Sequence, residues 1–276
     1  MSEEIKRVAK AILGSFGLKA PPELEFPFQE KIISRMSALG ISHPMSYLDL
    51  VRKDPIESQA IVNELTVHVS RFFRNPLIFE LLAAIVLPEL IRQKHEAGDN
   101  TLKIWSAGCA GGEEPYSLAI MLKEGMPRKS GRLNVQIFAT DIDRRLLTQA
   151  KKGEFSPEKL ENVKYKWVEK YFTPKNGRLL LNDNIRKMVY FSRYDMTDAK
   201  TYVPPESVFG NFDLVLCRNL LIYYSAAHQN LIFDKLHRSL ANNGCLVLGA
   251  AESLPATYRN RFNSKDMYSR IFIKKY

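Results

Sequence analysis

The sequence predicts an α/β fold in which a run of helices precedes a mostly parallel sheet, and three observations carry that prediction. Up to about residue 100 the apolar residues recur at helical spacing. From Thr101 onward, short runs rich in β-branched and aromatic residues ("LKIW", "VQIFAT", "MVYF", "FDLVLC", "CLVLGA", "RIFI") alternate with helical segments. One polar stretch, residues 153–190, interrupts that alternation. Strands that are apolar throughout are buried on both faces, as parallel strands between two helical layers are.

The elements follow in chain order. "FPFQEKIISRMSALGI" puts Phe28, Ile32, Ile33, Met36 and Leu39 on one helical face, and "PLIFELLAAIVLPELIRQKH" repeats the pattern with Pro76 suited to a first turn. Polar residues and Gly98 in "QKHEAGDN" then divide a helical part with its linker, residues 1–98, from the α/β part, residues 99–276. The strand "LKIW" runs into the turn "SAGCAGGEEPYS" and the helix "LAIML", and the second strand ends in "ATDID". Between the second and third core strands lies a small inserted β-subdomain at about 153–190, with a turn at "PKNG" flanked by short strands. The fourth strand, "FDLVLC", ends in Arg218 and Asn219, with Tyr223 and Tyr224 just beyond.

Composition narrows the function classes. With 276 residues, 45% hydrophobic and 25% charged, the chain matches ordinary globular proteins and shows no repeat or low-complexity segment. No apolar run approaches the roughly 20 residues that span a bilayer, and the acidic start has no cleavage-site pattern. A cytoplasmic protein without an integral membrane segment is expected. Cys109, Cys217 and Cys245 are odd in number and show no CxxC pairing, so neither a disulfide framework nor a metal site is expected. The net charge of +10 is uneven: residues 1–100 sum to −1, and residues 144–190 alone to +7. That basic segment is either a solvated face or a surface for an acidic partner. Without an RNP-type aromatic motif or zinc spacing, nucleic acid is not expected.

The turn after the first strand frames the chemistry. Gly108, Gly111 and Gly112 do not follow G-x-G-x-x-G, and Glu113 and Glu114 come directly after them. A diphosphate there would meet like charge in a low-dielectric site. S-adenosylmethionine, with a cationic amine and a sulfonium, would meet opposite charge. Helix capping by acids explains the same pair without a ligand. At the end of the second strand Asp141 stands where doubly wound nucleotide binders hold ribose hydroxyls, while Asp143 is placed to cap the next helix. Arg218 and Asn219 either face the ligand crevice or mark a strand end meeting solvent. In "LTVHVSRFFRNP" a core helix end accounts for Phe72 and Phe73, leaves Arg71 solvated and gives Arg74 no role.

Taken together, "SRFFRNP", "SAGCAGGEEPYSLAIML", "ATDID", "FDLVLCRNLLIYYS" and "GCLVLGAAESL" resemble the CheR-type chemotaxis receptor methyltransferases, with the motifs in family order from about residue 20 to 275. The resemblance implies a Rossmann-like class I methyltransferase domain with an inserted small β-subdomain, preceded by a small all-helical domain. It implies transfer of a methyl group from S-adenosylmethionine to glutamate side chains of methyl-accepting chemotaxis receptors, giving methyl esters and S-adenosylhomocysteine. Arg74 would then lie over the cofactor and place the acceptor carboxylate, and Tyr223 would stand beside the transferred methyl. Cofactor contacts are implied from His68, Ser70, Gly108, Glu113, Asp141, Asp195, Met196, Arg218 and Asn219, with Glu114 left to the helix start or a supporting role. His68 and Ser70 replace residues that are often Asn and Thr in the family. The short turn around "TPKNGR" implies that the cytoplasmic helical domain of the receptor is recognised without a C-terminal pentapeptide. A non-catalytic cofactor-binding scaffold or sensing module is the rival reading, and an NAD-type oxidoreductase the third.

Overall fold

A computed structural model describes residues 3–20, 24–65, 70–125, 133–207, 210–265 and 269–275. Its contacts divide the chain into two compact units, residues 1–68 with 221–230, and residues 69–220 with 231–276.

The first unit is helical, with α1 (Glu3–Ser15), α2 (Glu25–Ala38), α3 (Pro44–Lys53) and α4 (Pro55–Leu65). Its core joins Val8 and Ile12 of α1 to Phe28, Ile32 and Met36 of α2 and Tyr47 and Val51 of α3. The face predicted for α2 is therefore narrower than expected. Phe28, Ile32 and Met36 are buried, whereas Ile33 is 40% and Leu39 43% exposed. At about 100° per residue Ile33 stands off the stripe, and Leu39 is the C-cap. Glu57, buried in α4, anchors this core by accepting from the Tyr47 hydroxyl at 2.7 Å and from Arg35 Nε at 3.0 Å. Residues 221–230 join the unit through backbone bonds, Lys19 N to Tyr223 O at 2.8 Å and Ser225 N to Gly17 O at 2.9 Å.

In the second unit, α5 (Pro76–Leu81), a π-helical turn at Leu82–Val86 and α6 (Leu87–Glu96) form one continuous helical run. Phe79, Leu82, Val86, Leu87 and Leu90 along it belong to the same apolar cluster as the sheet residues Leu102, Ile104 and Ile137. The contact boundary therefore falls at residues 68/69, ahead of the texture change at residue 98, because these helices bury their apolar face in the sheet's core. The sheet follows with β1 (Thr101–Ala107), α7 (Glu113–Gly125), β2 (Asn134–Asp141) and α8 (Arg144–Lys152). Next come the insert elements β3 (Glu154–Phe155), α9 (Tyr165–Tyr171), β4 (Phe172–Lys175), β5 (Arg178–Leu181) and α10 (Asp183–Arg186). The chain then returns through β6 (Val189–Arg193), β7 (Phe212–Cys217), α11 (Ala226–Ser239), β8 (Leu240–Leu248), β9 (Phe262–Ser264) and β10 (Ile271–Lys274).

Among the described residues the strands form a seven-stranded sheet of order β6-β2-β1-β7-β8-β10-β9 and a three-stranded sheet of order β3-β5-β4. β6, β2, β1, β7 and β8 run parallel, and β10 is antiparallel to both β8 and β9. This is the α/β class the apolar runs predict; within the seven-stranded sheet only the short β9 gave no run to read. Chain order reverses between β1 and β7, so the ligand crevice of the fold opens at their carboxyl ends. The register aligns those ends: Ala107 pairs with Thr140 and with Cys217, and Cys217 pairs with Leu248. Whatever follows these four residues lines one mouth. Within the insert, Asn176 (φ 49°) and Gly177 (φ 72°) make the two-residue turn between β4 and β5, since positive φ at both positions matches the twist of a tight hairpin. No helix of the described residues is long and apolar enough to cross a membrane.

Candidate functional site

The glycine turn closes on the end of β2. Gly108 N and Cys109 N both donate to Thr140 O, at 2.8 and 2.9 Å, while Gly108 (φ 74°) and Gly112 (φ 90°) take left-handed conformations. A Cβ at Gly112 would stand 2.9 Å from the Ala150 Cβ, so the turn approaches α8 as only glycine allows. Asp141 fastens the same turn. Its Oδ2 accepts from Ala110 N at 2.9 Å and its Oδ1 from Asp143 N at 3.0 Å. Asp143 caps α8 by accepting from Arg145 N at 2.8 Å, as its position predicts.

The two acids after the turn have different surroundings. Glu114 accepts from Ser106 Oγ at 2.8 Å and from Arg218 Nη1 at 3.0 Å, so both its oxygens are engaged. Glu113 is 3% exposed; Lys159 Nζ lies 3.0 Å from its Oε1, and its buried Oε2 has no hydrogen-bond partner among the described residues. Gly111 makes room for that carboxylate, since a Cβ there would come within 2.9 Å of Oε2. A buried carboxylate oxygen without a donor is unfavourable unless a cationic or hydrogen-bonding ligand completes it. Cys109 stands between these acids. Burial pushes its thiol well up, the charges of Asp141, Glu114 and Glu113 adding to the effect, so it stays protonated and unreactive. All three cysteines are free and buried.

The "SRFFRN" segment is a fixed turn rather than the core helix end the sequence offered. Phe72 N donates to Lys159 O at 3.0 Å, Phe73 N to Ser117 Oγ at 2.9 Å, and Arg218 Nη2 to Arg74 O at 2.7 Å. These bonds hold Phe73 (φ 50°) and Asn75 (φ 60°) in the left-handed region, which is strained for a phenylalanine. The rings supply the anchor. Phe72 packs edge-on against Phe155 and Phe172, with centroids at 4.8 and 5.4 Å, while Phe73 packs edge-on against Phe79 at 5.1 Å and lies tilted against Trp167 at 5.4 Å. The phenylalanines are thus core residues, and they present Arg74, half-buried, at the bend. Ser70 is tied in by its carbonyl, which accepts from Lys159 Nζ at 2.5 Å. His68 lies outside the described residues.

The remaining strand ends hold further candidates. Arg218 is 6% exposed and braces Glu114 and the Arg74 carbonyl, its guanidinium 5.5 Å from the Phe79 ring. It is therefore not a strand end meeting solvent, and both terminal nitrogens serve protein partners. Asn219 (φ 57°) is held through its backbone, N donating to Glu252 Oε2 at 2.9 Å. Glu252 also accepts from Leu220 N at 2.8 Å and Gly249 N at 2.6 Å, tying the ends of β7 and β8 together. Asp195 accepts from Thr197 N and Oγ1 at 2.7 and 2.6 Å, and Met196 beside it is buried. Beneath that loop runs Lys235, 2% exposed, whose Nζ reaches Tyr194 Oη at 3.2 Å, Asp195 O at 3.4 Å and Asp198 O. Burial pushes its ammonium below the usual lysine range. Tyr223 is half-buried and belongs to the helical unit.

The second unit thus gathers Gly108, Glu113, Asp141, Asp195, Met196, Arg218 and Asn219 at the carboxyl ends of β1, β2, β6 and β7 and ties Ser70 and Arg74 to them. Lys159, Glu252 and Lys235 were missed by the sequence reading. Glu252 stands in the quoted "GAAESL" with no spacing to single it out, and neither lysine differs locally from a surface residue.

Residues 68–271 match the family model described as CheR methyltransferase, SAM binding domain. Among curated proteins, the chain is 28% identical to a chemotaxis protein methyltransferase of Borreliella burgdorferi, covering 93% of this chain and 94% of that protein. It is 37% identical to chemotaxis protein methyltransferase 1 of Pseudomonas aeruginosa over 71% of this chain and 70% of the relative. An uncharacterized 104.1 kDa protein of Rhodobacter capsulatus is 32% identical over 82% of this chain, which spans 23% of that longer protein. The cofactor is S-adenosylmethionine. The residues present fit it: the unpartnered Glu113 oxygen in a glycine cradle suits a cationic amine and would repel a diphosphate.

Proposed function

The chain belongs to the CheR methyltransferase family, and from that premise we propose that it methylates glutamate side chains on the cytoplasmic helical domain of methyl-accepting chemotaxis receptors. The observation that carries this reading is the pairing of a buried, half-satisfied Glu113 with an arginine turn locked beside it. S-adenosylmethionine, when bound, supplies a methyl carbon made electrophilic by the sulfonium.

The protein's part is placement. Glu113 would hold the ammonium of the cofactor's amino-acid end and Asp141 its ribose hydroxyls, with Asp195, Met196 and Asn219 closing the remaining sides. A glutamate side chain, with a reference pKa near 4.3, is ionised at neutral pH, so the reaction requires no general base. Arg74 receives that carboxylate through two parallel donors. Its backbone is fixed on both sides, which sets where the side chain starts from, and positioning of reactants in general can contribute on the order of 7 to 11 kcal/mol. The grip must favour the transition state over the bound acceptor, since only that difference accelerates transfer. The family resemblance gives Tyr223 as the other residue beside the transferring methyl, and His68 and Ser70 as cofactor contacts. The two-residue turn at Asn176 and Gly177 leaves a short hairpin, which favours a receptor recognised without a C-terminal pentapeptide. The receptor's methylated region and this enzyme would then meet in the cytoplasm.

The test is labelled methyl transfer to purified receptor cytoplasmic domains, with and without their C-terminal tails. Arg74→Ala is expected to lower transfer by about 100-fold or more while S-adenosylhomocysteine binding stays measurable by calorimetry. Transfer at the wild-type rate would remove Arg74 from the chemistry. Cofactor binding by the wild type without any labelling would favour the scaffold instead.

A further inference from the structure

The inserted subdomain carries many basic residues, and several of its lysines pair with acids near the surface: Lys164 with Glu80, Lys170 with Glu124 and Lys175 with Glu154. Lys159 is turned the other way. It sits on the 3₁₀ turn Pro157–Leu160, its side chain 32% exposed, and reaches the 3%-exposed carboxylate of Glu113 at 3.0 Å. The same ammonium donates to Ser70 O at 2.5 Å, and the Lys159 carbonyl accepts from Phe72 N at 3.0 Å. One residue of the insert thus touches both the acid of the glycine turn and the backbone that leads to Arg74.

We propose that Lys159 is a positioning residue for the cofactor, through which the insert completes the cofactor site. The inference rests on the reading of Glu113 as the acceptor for the cofactor's ammonium. A buried carboxylate rotates or is neutralised unless a cation compensates it. Lys159 takes Oε1, fixes the rotation of the group and leaves Oε2 as the acceptor for the ligand's amine. Its bond to Ser70 ties the acceptor turn to the same carboxylate. Whatever displaces the 157–160 turn would then loosen the cofactor's amino-acid end before it disturbs the adenosine end.

Calorimetry on the full chain with two ligands separates these ends: S-adenosylhomocysteine carries the amino-acid group, and 5′-methylthioadenosine lacks it. Lys159→Met is expected to weaken S-adenosylhomocysteine binding about tenfold, in the range of a lost charge-assisted hydrogen bond, and to leave 5′-methylthioadenosine within about twofold. Lys159→Arg, which keeps the cation, should recover most of that loss. Glu113→Gln should show the same selective loss, and adding Lys159→Met to it should cost little more, as coupled neighbours do. A parallel loss of both ligands in Lys159→Met overturns the proposal, because the lysine would then act on the fold at large. An arginine variant as weak as the methionine one overturns it too. If Glu113→Gln is selective while Lys159→Met binds like the wild type, the lysine proposal falls and the Glu113 reading stands. If Glu113→Gln leaves S-adenosylhomocysteine binding intact, the Glu113 reading itself fails and takes the lysine proposal with it.

Discussion

Glu113 and Glu114 are neighbours in the first turn of one helix, equally favoured there by the helix dipole, and the fold gives them different surroundings. About 100° of rotation separates them. Glu114 turns toward the ends of β1 and β7, where Ser106 and Arg218 engage both its oxygens. Glu113 turns toward the insert, where Lys159 engages one oxygen and the other stays buried without a partner among the described residues. A fully satisfied carboxylate braces a structure; a half-satisfied one has capacity left for a ligand. Local sequence cannot make that distinction, because the partners are tertiary: Arg218 lies 104 positions from Glu114.

The largest effect that would break this contrast is expected at Arg218. Arg218→Met strands the Glu114 carboxylate and leaves the Arg74 carbonyl without its donor, which should cost about 3 to 5 kcal/mol of folding stability in denaturant unfolding. Combining it with Glu114→Leu should return part of that loss; strictly additive losses would show that the pair is not the cause. A medium effect separates the two acids themselves. Glu114→Gln should lose roughly 1.5 to 3 kcal/mol by giving up a charge-assisted pair, whereas Glu113→Gln should cost less in stability and show its defect in ligand binding. Equal stability losses in both variants would end the distinction between brace and ligand site. The smallest effect concerns the turn that carries both. With its thiol pushed well up by burial, Cys109 should resist iodoacetamide at pH 8 in the folded chain and react only as fast as the protein unfolds. Rapid modification would mean that the turn opens.

Much of the architecture was legible because it is written in short-range pattern. Apolar runs located the core strands, "PKNG" located the hairpin turn, and Asp143 capped the helix its position indicated. The limits of legibility are physical too. The run from Pro76 to Glu96 has one helical face whichever core it meets, so nothing local assigned it to the sheet rather than to the helices before it. Arg218 at a strand end reads equally as ligand contact or solvent contact; in the structure its terminal nitrogens serve Glu114 and Arg74. Lys235 in "LIFDKLHRSL" reads as the polar face of an amphipathic helix, and only the loop packed over it reveals a buried ammonium. Side chains that join distant segments leave no periodic trace.

The left-handed bend at Phe73 and Asn75 also has a consequence for how the molecule assembles. Two of the bonds that hold it come from far along the chain. Phe73 N waits for Ser117, 44 positions on, and Arg74 O for Arg218, 144 positions on. Contacts so far apart along the chain form late, because the connecting loops must close first. Strain at the bend disfavours the conformation until they do. The backbone on either side of Arg74 is therefore fixed only once the segments that carry Ser117 and Arg218 have docked.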